Sequence, residues 1–485
     1  MKSLHPETPV ANICDGGGSV TAAEERLAKA GVALVERAAE IGLAGNVATL
    51  YRDDPLKAEA AFRDMVFGFA RSVLKGAFEA LDSHGPSLEA GGRTYRKAEV
   101  TPGRAMTMFG PVGFLRSRYR PSGTGASLVP AEAVLGLTAC GLTPAAAGLS
   151  MYLMSGLTAR ESEDAWRRLC SQGPSTASLV RLSGEAGSRM EACSGELLPD
   201  LREREEMPAE AVSLLVSLDG VMMRMNAETT DGKPTDAGWR EASCGVVALV
   251  DAEGEVLESR YFGRLPEQGK ASLKSQLKAE AFHWLGINPD LKLAVVADAA
   301  PDNWTFLESL SPDVTLVDFW HATQHIKAAA DAAFGADTAA GTAWFEKWRH
   351  ILRHDPKGVG KVIDALRHLL RKRKGAEDVR RELAFFRNNR RRMQYADAAD
   401  AGYAIGSGSV ESANKVLVTS RMKRSGQSWG RDGGQGVLTF RSLLKSGRFD
   451  RAWAALVPSL SRSDGWKAPQ CANENGPVAQ VALAA

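Results

Sequence analysis

The stretch Ala211-Val-Ser-Leu-Leu-Val-Ser-Leu-Asp-Gly220 holds the clearest signal for the fold. Eight apolar or small residues precede an aspartate, and a short apolar run of this kind predicts a buried β-strand. An apolar strand that ends on a carboxylate is unusual. In α/β sheets, strand ends that face a crevice are where reactive groups lie, so Asp219 is the first candidate for a functional residue.

The segments that follow predict the rest of a sheet. Two strands joined by a tight turn come next, and after them an amphipathic helix and two short apolar strands separated by another helix. The strands are Cys244–Val250, Glu255–Phe262, Leu291–Ala297 and Val314–Val317, and the amphipathic helix is Gln268–Leu285. Three antiparallel strands followed by helix, strand, helix and strand is the order of a ribonuclease-H-like fold. The predicted fold class is therefore α/β, with a ribonuclease-H-like catalytic core and a helical insertion, preceded by a mainly helical region with a β-hairpin.

A third acid lies in Ile405-Gly-Ser-Gly-Ser-Val-Glu411. Gly406 and Gly408 permit positive φ and close backbone approach. Ser409 is predicted to cap a helix that continues through Leu417, which puts Glu411 in the first helical turn beside a tight loop.

Each acid also has an ordinary structural explanation. Asp219 and Asp318 could begin turns, Asp298 could cap the helix that starts near Pro301, and Glu411 could pair with Lys415 four residues on. Taken one at a time, these explanations are preferred. Asp219, Asp298 and Glu411 together, in this topology, favour a shared metal site, because carboxylates are the ligands of hard ions such as Mg²⁺.

The charge of the chain is unevenly distributed. The net charge is only +2, but Trp344–Gln394 contains 16 Lys/Arg against 6 Asp/Glu, and Lys415–Arg451 contains 9 against 2. A solvated helix face is the usual explanation for one such run. Two runs on either side of Glu411 favour a polyanionic partner, namely DNA. The candidate phosphate contacts are Arg390, Arg391, Arg392, Lys415, Arg421, Lys423 and Arg424.

The N-terminal third contains two further candidates for DNA contact. Arg93–Arg120 predicts a basic hairpin around Phe109-Gly-Pro111, for which a structural role and a DNA contact are equally compatible. Helix Ala159–Cys170, a short turn and helix Pro174–Ser183 have the spacing of a helix-turn-helix, although any αα-hairpin can show it.

The chain is predicted to divide into seven segments. These are a helical region (1–92), a basic β-hairpin region (93–129), a helix-turn-helix-like region (130–208), the first part of the core (209–327), a basic helical insertion (328–400), the last part of the core (401–455) and a mobile tail (456–485). Six scattered cysteines without a CxxC pair indicate reduced thiols in a cytosolic protein. The N-terminus lacks the apolar segment of a secretory signal.

Several motifs together resemble the Kra-type (ISKra) family of bacterial insertion-sequence DDE transposases. The resemblance covers roughly residues 130 to 453, and Gly-Ser-Gly-x-Val-Glu411 is its most specific part. The other matching motifs are Asp219-Gly220, Trp239-Arg-Glu241, Asp298-Ala, Asp318-Phe-Trp-His321-Ala, Arg392-Met-Gln-Tyr395, Arg421-Met-Lys-Arg-Ser-Gly426, Trp429 and Ser446-Gly-Arg-Phe449. The chain departs from the family where a Cys pair is common, since Arg120-Pro-Ser-Gly-Thr-Gly125 and Pro130-Ala-Glu occupy that region.

The resemblance implies an enzyme that cleaves DNA at element ends and joins the freed 3′-OH to target DNA. Asp219, Asp298 and Glu411 would be its catalytic residues and would hold two Mg²⁺ (or Mn²⁺) ions, with Asp318 and His321 in support. The implied partners are element-end and target DNA and further copies of the chain, as a homodimer or higher oligomer in the bacterial cytoplasm at the nucleoid. No nucleotide cofactor and no membrane are implied. Two alternatives stay open, a non-catalytic DNA-binding regulator and a ribonuclease-H-like nuclease without strand transfer.

Overall fold

A computed structural model describes Val32, Glu36 and residues 46–230, 233–372, 377–406 and 408–461. These residues form two compact units. One contains the described residues up to Ser150, Ala159–Leu182 and the residues from Val457 on, and the other contains Met151–Thr158 and Ser183–Leu456. Most of the predicted tail, from residue 462 on, lies outside the described residues. Within the described ranges, no helix has both the length and the apolar character that crossing a bilayer requires.

The first unit contains the predicted basic hairpin. Strands β2 and β3 pair from Tyr95↔Pro121 to Thr107↔Gly110, which confirms the hairpin, and β1 adds a third strand to its edge. The elements from Asn46 to Glu203, of which α4 and α6 are divided between the two units, are α1 Asn46–Asp53, α2 Pro55–Ala80, β1 Ser87–Ala90, β2 Arg93–Thr107, β3 Gly110–Pro121, α3 Pro130–Val134, α4 Pro144–Gly156, α5 Ala159–Cys170 and α6 Thr176–Glu203.

Helix α6 differs from the prediction in length. The first helix of the predicted helix-turn-helix, α5, has the predicted bounds, but the second has 28 residues and ends at Glu203, not at Ser183. The helix continues through the glycines after Ser183. At Gly187 the missing side chain leaves room for a neighbouring helix. A Cβ atom on Gly187 would lie 2.5 Å from the Cα of Gly436. Here glycine serves close packing between helices.

The second unit is built on a five-stranded mixed sheet with the order β10-β9-β4-β7-β8. Strands β4, β7 and β8 pair antiparallel, and β9 and β10 run parallel to β4. This confirms the α/β class and the predicted sequence of strands. The sheet elements are β4 Ser213–Met225, β7 Gly238–Val250, β8 Val256–Arg264, β9 Lys292–Ala297 and β10 Val314–Val317, with a separate ribbon of β5 Glu228–Thr230 and β6 Lys233–Thr235.

Helices complete the second unit. Those between β8 and residue 400 are α7 Ala271–Ile287, α8 Pro301–Glu308, α9 Phe319–Phe334, α10 Ala339–His354, α11 Gly358–Lys372, α12 Glu377–Asn388 and α13 Tyr395–Asp400. They are followed by α14 Gly408–Ala413, a π-helix Asn414–Thr419, α15 Ser420–Met422, α16 Arg431–Lys445 and α17 Phe449–Leu456. Residues 328–400 are thus largely helical, as predicted.

Strand β4 extends further than predicted. It was expected to end at Asp219 but continues to Met225. The pairing with β9 stops at Ser217↔Val296, whereas the pairing with β7 continues to Met225↔Gly238. Met223 and Met225 are buried on this extension and belong to the hydrophobic core of the unit.

A buried ionic network joins α6, α7, β8 and the start of α17. The Arg448 guanidinium donates to both Glu205 and Glu280, with contacts of 2.6–3.0 Å. Arg202 and Arg260 add further donors to the same acids. Burial alone would raise the pKa of Glu205, but the hydrogen bonds and charge of Arg448 outweigh it and lower this pKa to about 2.

Replacing Arg448 by methionine is expected to destabilise the protein by about 3–5 kcal/mol, because two buried carboxylates lose their shared partner. The free energy of unfolding in urea measures the loss. Arg204→Met is the matched control, since Arg204 pairs with Asp200 at the surface and its loss should cost about 0.5 kcal/mol or less. Equal effects of the two substitutions would contradict the importance of the network.

Candidate active site

Asp219 and Asp298 lie side by side at one end of the sheet. Strands β4 and β9 are parallel neighbours, paired in register from Ser213↔Lys292 to Ser217↔Val296. Asp219 lies two residues after Ser217, and Asp298 lies two residues after Val296. The register therefore places both carboxylates at the level where the pairing of these strands stops.

Each of the two acids is held by local donors. Asp219 Oδ1 accepts from the Gly220 amide at 2.7 Å, and Oδ2 accepts from Asn414 Nδ2 at 2.6 Å. Asp298 Oδ1 accepts from the Ala300 amide and from Asn303 Nδ2, both at 3.1 Å. The side chains thus have fixed orientations.

The electrostatics of Asp219 show the influence of its neighbour. Burial raises the pKa of Asp219, and the charge of Asp298 raises it further. The Gly220 amide, Lys270 and Asn414 act in the opposite direction. The two carboxylates are therefore a like-charged pair that a cation would stabilise.

Glu411 is close to this pair but is not combined with it in one cluster. It lies in the first turn of α14 and is exposed. Partial burial raises the pKa of Glu411, as do the charges of Asp318 and then Asp219, while His321 lowers it. Among the described residues, no three His, Cys, Asp or Glu side chains are grouped closely enough to hold a metal ion. The three-carboxylate metal site therefore remains a prediction.

The stretch around Glu411 differs in two details from the prediction. Ser409 was expected to be the N-cap, but it lies inside α14, which begins at Gly408 and gives way to a π-helix at Asn414. Gly406 does not have a positive φ. Its surroundings are tight, since an added Cβ would lie 3.3 Å from the Trp320 ring.

Asp318 and His321 form a capped helix start beside the acids. Asp318 is 2% exposed and accepts from the His321 amide at 2.6 Å, so it is the N-cap of α9. The structural alternative weighed for Asp318 was the start of a turn, so its role as a helix cap was not predicted. The cap is compatible with support of the site, because the charge of Asp318 raises the pKa of Glu411. The His321 ring packs edge-on against His325, whose Nδ1 bonds to Glu382.

The predicted DNA contacts divide by exposure. Arg421 is 1% exposed, donates to the Met154 carbonyl at 3.0 Å and lies 5.0 Å from the Trp429 ring centre. The expectation that it contacts DNA is corrected, since its guanidinium is buried and serves packing. Arg392 and Arg424 are partly buried and bond to Glu308 and to the Ser420 carbonyl. Arg390, Arg391, Lys415 and Lys423 are exposed.

Three residues of the site were missed by the sequence analysis. Asn414 follows Glu411 at i+3, and this helical spacing could have indicated that both face the same way. Lys270 and Asn303 had no such signal, because they approach the acids only through the tertiary fold. Asn414 Oδ1 is buried and has no hydrogen-bond partner among the described residues. This leaves an amide oxygen beside Asp219 that could be a metal ligand.

Replacing Asp219 by asparagine is expected to stabilise the metal-free protein at neutral pH. Because the folded state raises the pKa of Asp219, the ionised carboxylate favours unfolding once the pH exceeds the unfolded value. The midpoint of thermal unfolding in EDTA at pH 7.5 should rise by about 2–4 °C. The gain should disappear below about pH 4, where the carboxyl is protonated in both states. Asp302→Asn, at an exposed site in α8, is the control, and a lowered midpoint for Asp219→Asn would contradict the interpretation.

No family model matches the sequence, and no curated protein matches it. Among solved structures, the chain is similar to the Drosophila P element transposase strand transfer complex. The alignment has 9% sequence identity, covers 66% of this chain and 81% of that chain, and has a TM-score of 0.25. A likeness at this level supports no inference about this chain, so its function is inferred from its own residues.

Proposed function

We propose that this protein is a DDE transposase, which cleaves DNA at the ends of an insertion sequence and joins the freed 3′-OH to target DNA. The observation that carries the proposal is the side-by-side placement of Asp219 and Asp298 by the parallel register of β4 and β9. Glu411, whose charge interacts with Asp219, is proposed as the third acid of the site.

The sheet supports a ribonuclease-H-like assignment for the core. Three antiparallel strands are followed by two strands parallel to the first, in the order β10-β9-β4-β7-β8. The acids of the proposed site lie just beyond the last paired residues of the parallel strands β4 and β9, on the carboxyl-terminal side where ligands bind in open α/β sheets. The resemblance to the Kra-type family, which rests on the motifs around these acids, points to the same assignment.

The donor set suits a hard divalent cation. Asp219 and Asp298 offer carboxylate oxygens, and the unpartnered Asn414 Oδ1 lies beside them, which matches the oxygen ligands that Mg²⁺ takes. Two Mg²⁺ or Mn²⁺ ions held by Asp219, Asp298 and Glu411 would activate the attacking oxygen and stabilise the leaving oxygen of a phosphodiester. The chain's own contribution is to fix two carboxylates before DNA arrives, through the bonds from Gly220, Asn414 and Asn303.

The exposed cations of the two basic runs would hold the phosphate backbone. Lys415 follows Glu411 by one helical turn, and Lys423 lies 5.7 Å from the ring of Trp239, which is 60% exposed. Arg390 and Arg391 add exposed charge from the helical insertion. Contacts of this kind bind DNA without regard to sequence and weaken with salt.

Substitution of any of the three acids is expected to abolish cleavage but not DNA binding. Asp219→Asn, Asp298→Asn and Glu411→Gln should each reduce cleavage of an element-end duplex in Mg²⁺ by more than about a hundredfold, because ligand charge is lost. Asp302→Asn is the control, since Asp302 is an exposed acid only four residues after Asp298. Gel shift in EDTA measures binding.

The same assay separates the proposed activity from its alternatives. Full strand transfer by the acid variants in Mg²⁺ would refute the assignment of the site. Cleavage without joining by the unsubstituted protein would indicate a nuclease. Binding without any metal-dependent cleavage would indicate a non-catalytic regulator.

Combined replacement of Lys415 and Lys423 by methionine is expected to weaken DNA binding for all sequences alike. Each lost phosphate contact should reduce the slope of log affinity against log salt by about 1. The matched control is Lys292→Met, because Lys292 is exposed at the opposite end of β9 from Asp298. Salt titrations by fluorescence anisotropy measure the slope, and an unchanged slope would exclude these two lysines as contacts.

A further inference from the structure

Lys270 occupies a position that local rules disfavour. It precedes helix α7 in the left-handed region, with φ 54° and ψ 36°, directly after Gly269 with φ 63°. A non-glycine residue there costs roughly 1 kcal/mol or more. Its side chain makes no capping bond to the helix, and its positive charge lies at the positive end of the helix dipole. Tertiary contacts must therefore hold the residue in place.

The contacts of the Lys270 ammonium group point to the acid pair. Nζ lies 2.9 Å from Glu241 Oε1 and 3.3 Å from Asn303 Oδ1. Asn303 is 1% exposed, and its Nδ2 donates to Asp298 Oδ1 at 3.1 Å. Lys270 is thus connected to Asp298 through a single buried amide.

Glu241 extends this connection towards Asp219. Glu241 of β7 pairs with Met222 of β4 and lies over Gly220, where an added Cβ would come within 2.4 Å of its carboxyl group. Gly220 is the residue whose amide donates to Asp219. Glycine at position 220 therefore leaves room for the Glu241 side chain in the conformation that reaches Lys270.

We propose that Lys270 is the internal counter-ion of Asp219 and Asp298, and that divalent cations bind this site in competition with its charge. The second half of this statement rests on the proposed metal-dependent function, whereas the first half does not. Lys270 balances the two carboxylates when no cation is bound, and Glu241 and Asn303 keep its ammonium group in place. It is a positioning residue that lowers the affinity of the empty site for cations.

The competition follows from charge alone. The Lys270 ammonium group is linked to Asp298 through Asn303, and its charge acts on Asp219. A positive charge so placed reduces the potential that attracts a second cation, and the effect is strong where water is partly excluded. The Lys270 side chain is 20% exposed, so the screening by solvent is incomplete. Neutralising Lys270 while keeping a hydrogen-bonding side chain isolates this effect from the loss of contacts.

The binding of Mn²⁺ to the full-length protein without DNA tests the competition. Lys270→Gln should bind Mn²⁺ about tenfold more tightly at constant pH and ionic strength, measured by calorimetry. Lys270→Arg should stay within about twofold of the unsubstituted protein, because the charge is retained. Lys278→Met removes a lysine charge from an exposed position on the same helix and should also leave the affinity unchanged. Unchanged or weaker binding by Lys270→Gln overturns the competition.

A double-mutant cycle in EDTA tests the counter-ion role without metal or DNA. Lys270→Gln should lower the midpoint of thermal unfolding. Asp298→Asn should raise the midpoint more in the Lys270→Gln background than in the unsubstituted protein. Additive effects of the two substitutions overturn the counter-ion role. If no variant binds Mn²⁺, the metal-dependent function and the competition both fail, and the cycle still decides the counter-ion role.

Discussion

The parallel register of β4 and β9 is the constraint on which the proposed site depends. It brings two carboxylates from distant parts of the chain to one level of the sheet, where their like charges oppose each other. The surrounding polar groups reduce the electrostatic cost of placing these two carboxylates together. Asn414 and the Gly220 amide hold Asp219, Asn303 holds Asp298, and the Lys270 ammonium supplies positive charge. A slip of one residue would turn one carboxylate to the opposite face.

The two buried acid clusters of the second unit show contrasting solutions to one problem. Glu205 and Glu280 share the Arg448 guanidinium through direct short bonds, and the pKa of each is lowered despite burial. Asp219 has no comparable bidentate partner, and its pKa is raised. The first cluster contributes to the stability of the unit. The second retains unfavourable charge, as is common where a protein binds ligands at some cost in stability.

The sheet could be predicted from the sequence because its strands are short apolar runs separated by turns. The strands around Val246, Val295 and Leu316 are buried, as their residue types require. The extension of β4 beyond Asp219 was missed, since polar residues interrupt its pattern and only the partner strand β7 reveals it. Likewise, α6 continues past Ser183 and packs closely at Gly187 against Gly436, a tertiary contact that no local pattern records.

The acids of the site could be nominated from the sequence, but their surroundings could not. Asp219 follows the apolar run Leu214–Leu218 within β4 and Asp298 directly follows β9, and both positions are visible in the chain. Lys270 and Asn303 reach them from other segments, so their roles depend on tertiary distances. Arg421 was misjudged for the same reason, because a basic residue in a basic run is indistinguishable from its exposed neighbours until its burial is known.

The burial of Arg421 has a consequence for its neighbour Lys423. The Arg421 guanidinium ties the chain to the Met154 carbonyl and to the Trp429 ring. The backbone two residues further on is therefore ordered by folding itself. In the proposed contact of Lys423 with a phosphate, only the lysine side chain would have conformational freedom left to lose, so the entropic penalty of binding would be smaller than for a lysine on a free loop.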